Sequence, residues 1–134
     1  MKNISTECKG SYNELIWQEA EKHFDIVVRN DIKLFLKANN GGYPKKDIII
    51  VDGMEYEVRV FLSLDKNDEH YCIERPLRYF LEKTKARIIP IGLDSGDNYY
   101  CVNNETGKVY YWSASNDSYY LISDCLEDFI DLFA

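Results

Sequence analysis

The first part of the chain places its apolar residues at helical spacing. Between residues 11 and 24 they recur at intervals of three and four, which puts them on one face of a helix; they are Tyr12, Leu15, Ile16, Ala20 and Phe24. Ser11 and Glu14 have the spacing of a capping box, in which each side chain bonds the other residue's backbone N–H. The pattern predicts a helix over residues 11–24.

A second helix is predicted after Asn30 or Asp31, with three apolar residues facing inward: Ile32, Phe35 and Leu36. It is followed by the Asn-Asn-Gly-Gly run at 39–42, whose residues readily adopt the left-handed conformation that ends helices. Pro44 then prevents the helix from continuing. We therefore expect this helix to end close to residue 39.

The clearest strand pair is predicted over residues 48–62. Ile48 to Val51 are all apolar, and Asp52-Gly53 has the sequence of a two-residue hairpin turn. Beyond the turn, apolar residues alternate with charged ones as far as Leu62, which is the period of a strand with one buried face. The pattern predicts two antiparallel strands, the second running from Met54 to Leu62.

The second half of the chain predicts one helix, a meander of strands and a last helix. Residues 73–81 have helical spacing, with Pro76 in the first turn. Strand candidates separated by turn-forming residues then follow at 87–91, 98–102, 108–112 and 119–122. Asp124 is predicted to cap the last helix, with Glu127 in capping-box position.

This order of elements predicts the fold class. Strands that are grouped, instead of alternating strictly with helices, favour an α+β fold. We expect a mainly antiparallel sheet packed by helices from the N-terminus, the middle and the C-terminus of the chain. A length of 134 residues fits one domain, which we expect to cover residues 1–134.

Charge is distributed unevenly along the chain. The net charge is −7, from 16 basic and 23 acidic side chains. Residues 1–93 are balanced, whereas residues 94–134 contain eight acidic side chains and Lys108 as their one basic residue. Because affinity for nucleic acids depends on lysine and arginine neutralising phosphates, we expect no direct binding of nucleic acid.

The sequence predicts a cytoplasmic protein. Its first ten residues lack the apolar core of a signal peptide, and the longest apolar run, Ile48 to Val51, is far shorter than the about 20 residues that cross a bilayer. The four cysteines lie far apart, without the close spacing of a zinc or redox site. We expect reduced thiols, no cofactor, no metal and no membrane contact.

Candidate catalytic groups are few. His23 lies near the end of the first predicted helix, where the helix dipole favours a cation, and His70 lies in a charged loop; neither belongs to a recognisable motif. Residues 94–105 have the length of an EF-hand loop, but Gly96 and Tyr99 replace a ligand and the required glycine. We expect a protein that is not an enzyme.

Two features of the last third leave alternatives open. Four carboxylates share one face of the last predicted helix, either as a solvated surface, which we favour, or as a catalytic pair, which would need a cleft; they are Asp124, Glu127, Asp128 and Asp131. Six of the eleven tyrosines form doublets at 99–100, 110–111 and 119–120, whose rings must face opposite sides of a strand. A partner-binding surface and a sheet face covered by a helix explain them equally well.

Several short motifs also occur in a fixed order. They are Asn39-Asn40-Gly41-Gly42, Ile89-Pro90-Ile91-Gly92, the acidic turn at 94–99, Val109-Tyr110-Tyr111-Trp112 and the closing helix at 123–133. In this order they resemble the SUKH superfamily, specifically its Smi/Knr-like branch, over nearly the whole chain. Two residues depart from the pattern: Arg29 stands where the family usually has proline, and Asp97 where a second glycine is common.

The resemblance implies a domain that binds proteins without turning over a substrate. Many bacterial members look like immunity proteins that neutralise a cognate polymorphic toxin, often a nuclease, in the cytosol, whereas fungal relatives act in cell-wall signalling. Together with the charge, it predicts an acidic partner-binding surface for a basic toxin domain, with these candidate residues: Asp94, Asp97, Tyr99, Glu105, Asp117, Asp124, Glu127, Asp128 and Asp131. A regulatory or scaffolding adaptor is the alternative, and the oligomeric state stays open.

Overall fold

The computed structural model describes residues 1–8 and 10–134, which form helices and two antiparallel sheets. In chain order the elements are α1 (Leu15–Phe24), α2 (Asn30–Ala38), β1 (Ile48–Val51), β2 (Met54–Glu57), β3 (Val60–Phe61), α3 (Glu74–Lys83), β4 (Ile88–Leu93), β5 (Tyr99–Asn103), β6 (Val109–Ser113), β7 (Ser118–Ser123) and α4 (Leu126–Asp131). β1 and β2 form a hairpin, and the larger sheet has the strand order β3-β4-β5-β6-β7.

These elements confirm the predicted α+β class and the mainly antiparallel sheet. Helices from the beginning, the middle and the end of the chain pack on the strands. Phe35 of α2 contacts Phe61 of β3 and Phe129 of α4, with ring centroids 5.1 and 6.0 Å apart. All three rings are fully buried, so the core joins segments that are distant in sequence.

The predicted strand from Met54 to Leu62 is wrong in one respect: it is two strands in different sheets. β2 ends at Glu57, and the chain then leaves the hairpin, so that Val60 pairs with Leu93 of β4. The backbone N–H of Arg59 already donates to Leu93 O at 2.9 Å. Val58 and Val60 are both fully buried, so buried residues keep alternating with exposed ones where the chain changes its partner strand. The sequence pattern therefore gives no sign of that change.

Both predicted capping boxes are wrong. α1 begins one residue after Glu14, and neither Ser11 nor Glu14 caps it. Asn13 Oδ1 accepts from the backbone N–H of Leu15 at 3.0 Å, and the backbone N–H of Ser11 donates to Asp65 Oδ2 at 3.2 Å. At α4 the cap is Cys125, whose Sγ accepts from the backbone N–H of Asp128 at 3.5 Å. At α1 a tertiary contact with Asp65 takes the place of the predicted bond, whereas at α4 the cap is local and lies one residue later than predicted.

The two faces of the larger sheet are covered differently. One face turns Tyr100, Val102 and Val109 into the main core beneath α4. The other face carries a smaller cluster, in which Phe80 of α3 packs on side chains from β4, β5 and β6: Ile88, Cys101 and Trp112. α3 lies along β4 and leaves the β6–β7 side of this face partly open.

Arg29 shows how the chain accommodates its departure from the family pattern. Its backbone N–H donates to Asn104 Oδ1 at 2.9 Å, a bond that proline cannot make because it has no N–H. Its guanidinium also pairs with Asp31, at 3.1 Å between Nε and Oδ1. The start of α2 is thereby fastened to the β5–β6 turn.

Candidate protein-binding surface

A groove of about 660 Å³ lies between α3, the loop before it and the end of the larger sheet. We call it the α3 groove and define it by an aromatic floor and a charged rim. The floor consists of Tyr79, Phe80, Tyr99 and Trp112, and the rim of Lys66, Asp68, Glu69, Glu74, Arg75 and Asp97. It brings together the turn between β4 and β5 with a helix that precedes both strands.

The floor of the groove is a set of packed rings from a helix and two strands. Tyr99 and Trp112 are direct partners across β5 and β6. Phe80 lies over both, with its ring centroid 5.5 Å from that of Tyr99 and 5.0 Å from that of Trp112. Tyr79 stands at the edge, 6.1 Å from Trp112 and 50% exposed. The half-exposed ring of Tyr79 is therefore presented to solvent on a base of buried rings.

Lys83 fastens this floor to the β6–β7 turn. Its Nζ lies 4.8 Å from the centroid of the Trp112 ring and makes an ion pair with Asp117. The indole Nε1 of Trp112 donates to the same carboxylate at 2.7 Å. Hydrogen bonds from Lys83 and then from Trp112 hold the pKa of Asp117 below its usual value. The Asp117 carboxylate therefore stabilises the groove by bonding to both Lys83 and Trp112.

The rim of the groove is acidic. Among the described residues that line it, four carry carboxylates, namely Asp68, Glu69, Glu74 and Asp97, against two cations, Lys66 and Arg75. Lys66 makes an ion pair with Glu19, which lies outside the groove, at 3.4 Å between Nζ and Oε1. This pairing neutralises part of the positive charge at the rim. An incoming cation would meet negative potential around an apolar floor, and the low dielectric of such a cleft strengthens that attraction.

The nine residues predicted for a partner surface divide between two ends of the meander. At one end the side-chain oxygen of Asn98 accepts from the N–H of Ala114 at 2.9 Å, which joins the β4–β5 and β6–β7 turns. This end carries Asp94, Asp97, Tyr99 and Asp117. The opposite end carries Glu105 and Asp124, and Glu127, Asp128 and Asp131 follow on α4. Of the nine, the α3 groove contains Asp97 and Tyr99.

Asp94 has a role inside the fold. Its Oδ1 accepts from the backbone N–H groups of Gly96 and Asn98, both at 2.9 Å, and its Oδ2 accepts from the hydroxyl of Tyr111 at 2.7 Å. This network forms the β4–β5 turn, in which Asp97 takes the left-handed conformation at φ 63°. The predicted turn is confirmed, and Asp94 positions Asp97 at the rim of the groove.

The four carboxylates predicted to share one helical face are divided by the start of α4, because Asp124 precedes the cap residue, Cys125, and only the other three lie on the helix. Asp124, Glu127, Asp128 and Asp131 are all exposed, in keeping with the solvated surface favoured from the sequence. In the described part of the chain, no cluster of three or more histidine, cysteine or acidic side chains is arranged to hold a metal ion. The described helices also include none that is long and apolar enough to cross a membrane.

Neither histidine lies in a catalytic pair. His23 is exposed in the last turn of α1, with its ring 4.8 Å from that of Phe24. His70 is exposed and lines the α3 groove. Within the described chain no carboxylate hydrogen-bonds to either imidazole, which is the partner that a histidine base would need for orientation.

The tyrosine doublets face opposite sides of the sheet, as predicted. Tyr100 is buried and its hydroxyl donates to Glu57 O at 2.6 Å, whereas Tyr99 lies in the groove. Tyr120 is 44% exposed, and its neighbour Tyr119 lies beside Trp112 on the other face. The hydroxyl oxygen of Tyr119 is buried with no hydrogen-bond partner in the described chain.

Sequence reasoning missed most of the groove. Asp68, Glu69 and Tyr79 lie in the first 93 residues. Positive and negative charges balance there, so no excess of acidic residues marks this segment as a candidate surface. Only the packing of α3 on the sheet brings them beside Asp97. The one available signal was the Tyr79-Phe80 pair, because adjacent positions on a helix point in different directions and one ring must leave the core.

The sequence profile of the SMI1 / KNR4 family (SUKH-1) matches residues 13–132, from just before α1 to just after α4. The chain belongs to this family. The resemblance noted from short motifs is therefore confirmed, and the SMI1 / KNR4 family match includes the whole α3 groove. A curated relative is the SPbeta prophage-derived uncharacterized protein YokK of Bacillus subtilis (strain 168), which is 23% identical over 148 aligned positions covering 90% of this chain and 76% of that protein.

Proposed function

We propose that this protein is a non-enzymatic, cytoplasmic immunity protein that binds and neutralises a cognate bacterial toxin. The observation that carries the proposal is the α3 groove, in which a rigid aromatic floor opens inside an acidic rim. Membership of the SMI1 / KNR4 family supports a protein-binding role. The similarity to a prophage-derived protein supports a function linked to mobile elements, and therefore favours immunity over a regulatory adaptor.

The chemistry of the floor suits a protein partner. Tyrosine and tryptophan are enriched at protein interfaces because they bury a large area, lose little rotamer entropy and keep a polar atom at the edge. Tyr79 is half-exposed, while Trp112 is held by Phe80, Lys83 and Asp117. A side chain inserted here would meet rings that are already fixed, so little ordering entropy opposes binding.

The charge of the rim suits a basic partner. Nuclease domains bind a phosphate backbone with lysine and arginine, so the surface that binds their substrate is positive. An acidic groove that occupies such a surface would exclude the substrate. Opposite potentials also steer encounter and raise association rates up to about 10⁸–10⁹ M⁻¹s⁻¹ at low salt. A basic nuclease toxin is therefore the partner class that we favour.

Inhibition by occupancy needs no turnover, and the proposal includes no catalytic residue. The exposed carboxylates of α4 and the two unpaired histidines are consistent with this. Desolvation in a cleft is what raises the pKa of a carboxyl acid toward neutrality, whereas Asp124 and the three carboxylates of α4 are exposed to solvent.

The test is co-expression with the toxin domain encoded next to this gene in its source genome. Wild-type protein should restore growth, and a double variant, Tyr79→Ala with Asp97→Lys, should not. The matched control is Glu55→Lys, which makes the same charge reversal on the exposed hairpin away from the groove. Rescue by the groove variant equal to that of the control would contradict the proposal, as would a failure of the wild-type protein to bind any neighbouring toxin domain.

A further inference from the structure

β7 is an open edge of the larger sheet. It pairs with β6 on one side, and the strand order of the described chain places no strand on the other. Its pairing is regular from Ser118 to Leu121, and a register shift follows only at the Ser123 end. Because backbone N–H and C=O groups of alternate residues point away from the partner strand, about three residues of β7 are available for pairing with another strand.

The strand lacks the features that usually protect an edge. Soluble proteins block free edges with lysine, with proline, with a bulge in the middle of the strand or by making the strand very short. The other edge strand, β3, has only two residues. β7 has six, in the sequence Ser-Tyr-Tyr-Leu-Ile-Ser, without charge or proline. Tyr120 is 44% and Leu121 48% exposed, on opposite faces of the sheet.

Charge decides which kind of strand this edge suits. Asp117 precedes β7 and Asp124 follows it, and no lysine, arginine or histidine occurs between residues 109 and 134. A second copy paired antiparallel about Tyr120 or Leu121 would bring Asp117 of each molecule within one position of Asp124 of the other. Like charges that face each other across a strand pair destabilise it, whereas opposite charges stabilise it. A strand with basic ends is complementary, and a second copy is not.

The edge is also continuous with the α3 groove. Tyr99, Trp112 and Tyr119 are successive cross-strand partners on β5, β6 and β7, and they lie on one face of the sheet. Tyr99 and Trp112 form the floor of the groove, so Tyr119 extends that floor to the edge. A protein seated in the groove therefore lies beside the free side of β7.

We infer that β7 accepts an extended strand from the basic partner, with apolar residues in its middle and lysine or arginine at its ends. The added strand would continue the sheet antiparallel to β7, taking affinity from main-chain hydrogen bonds and specificity from Tyr120, Leu121 and the flanking carboxylates. The inference rests on the proposed function, because the strand belongs to the protein that the groove receives.

The test uses a short synthetic peptide of alternating threonine and valine with lysines at both ends, titrated at low salt while amide resonances are followed by NMR. We expect shifts concentrated in Ser118–Ser123 and slower exchange of those amides. A peptide with glutamate in place of lysine should bind about tenfold more weakly or worse. Leu121→Lys should weaken binding about as much, whereas Ile50→Lys, the same change on the exposed hairpin, should not.

Three results would overturn the inference. Equal binding of a lysine peptide whose valines are replaced by proline would mean attraction by charge alone, without strand pairing. Sedimentation that shows a dimer of the wild-type protein, dissociated by Leu121→Lys, would mean that a second copy occupies the edge. The groove variant Tyr79→Ala with Asp97→Lys should still bind the peptide. A wild-type protein that neutralises the toxin but does not bind the peptide would therefore contradict the inference and leave the proposed function standing.

Discussion

The indole Nε1 of Trp112 donates a hydrogen bond of 2.7 Å to the carboxylate of Asp117, which also pairs with Lys83. This contact joins the floor of the α3 groove to the β6–β7 turn and to the last residue of α3. Three segments that approach the groove from different directions are therefore held by one carboxylate. The stability of the groove should depend on whether that carboxylate is ionised.

The first prediction is a pH dependence centred on Asp117. Its pKa is lowered in the folded state by hydrogen bonds from Lys83 and Trp112. Such a group stabilises the fold at pH values above its unfolded pKa, about 3.9, and the stabilisation is lost as the pH falls through the folded pKa. Asp117→Asn should therefore lose less stability than wild type between neutral pH and pH about 3 in urea unfolding. Asp128→Asn on the exposed face of α4 is the control, and an equal response of both variants would contradict the role of Asp117.

The second prediction compares two tyrosine hydroxyls in the sheet. Removing a hydroxyl that is buried without a partner relieves a desolvation cost of about 1–3 kcal/mol, so Tyr119→Phe should leave the free energy of unfolding unchanged or raise it. Tyr100→Phe removes the bond to Glu57 O and should lower it by about 1 kcal/mol. Urea unfolding measures both. A loss in Tyr119→Phe as large as that in Tyr100→Phe would show that the Tyr119 hydroxyl has a partner.

The third prediction separates the part of the groove that stabilises the fold from the part that is free to bind. Phe80 is fully buried between α3 and the sheet, so Phe80→Ala should lower the free energy of unfolding by about 3–5 kcal/mol. The adjacent Tyr79 is half-exposed, and Tyr79→Ala should cost less than about 1 kcal/mol. Similar losses in the two variants would mean that Tyr79 is a core residue and that the groove presents less aromatic surface than we describe.

The fourth prediction concerns the rim residue Asp97, which has a φ of 63°. Aspartate and glycine tolerate this left-handed conformation, whereas a β-branched residue does not. Asp97→Gly should therefore stay within about 0.5–1 kcal/mol of wild type, and Asp97→Val should lose about 1–2 kcal/mol more than Asp97→Gly. Thermal unfolding checks this, and a large loss in Asp97→Gly would show that the carboxylate itself supports the turn.

Most elements of the fold could be predicted from the sequence because their periods are local. The inward residues of α2, Ile32, Phe35 and Leu36, are all fully buried, and the four strands of the meander lie within one or two residues of their predicted bounds. The change of sheet after Glu57 could not be predicted, because Val58 and Val60 continue the alternation of buried residues. What changes there is the partner strand, and a period does not specify a partner.

The candidate surface was predicted less well than the fold, for a physical reason. A count along the sequence found the acidic residues from Asp94 onward, but a meander sends successive turns to opposite ends, so Asp97 and Glu105 are separated although they are close in sequence. The groove depends instead on α3, which brings Glu69 and Tyr79 beside Asp97. Charge balance in the first 93 residues concealed that half of the rim.

The most direct measurement of the central claim is calorimetric binding of the purified neighbouring toxin domain to the wild-type protein, to Tyr79→Ala with Asp97→Lys, and to Glu55→Lys. We expect the groove variant to bind at least about thirtyfold more weakly, as hot-spot losses of about 2–4 kcal/mol imply, while Glu55→Lys binds like wild type. Wild-type affinity should also fall as salt rises, because the rim attracts by charge. Equal affinities for the two variants would contradict the account, because binding would then lie outside the α3 groove.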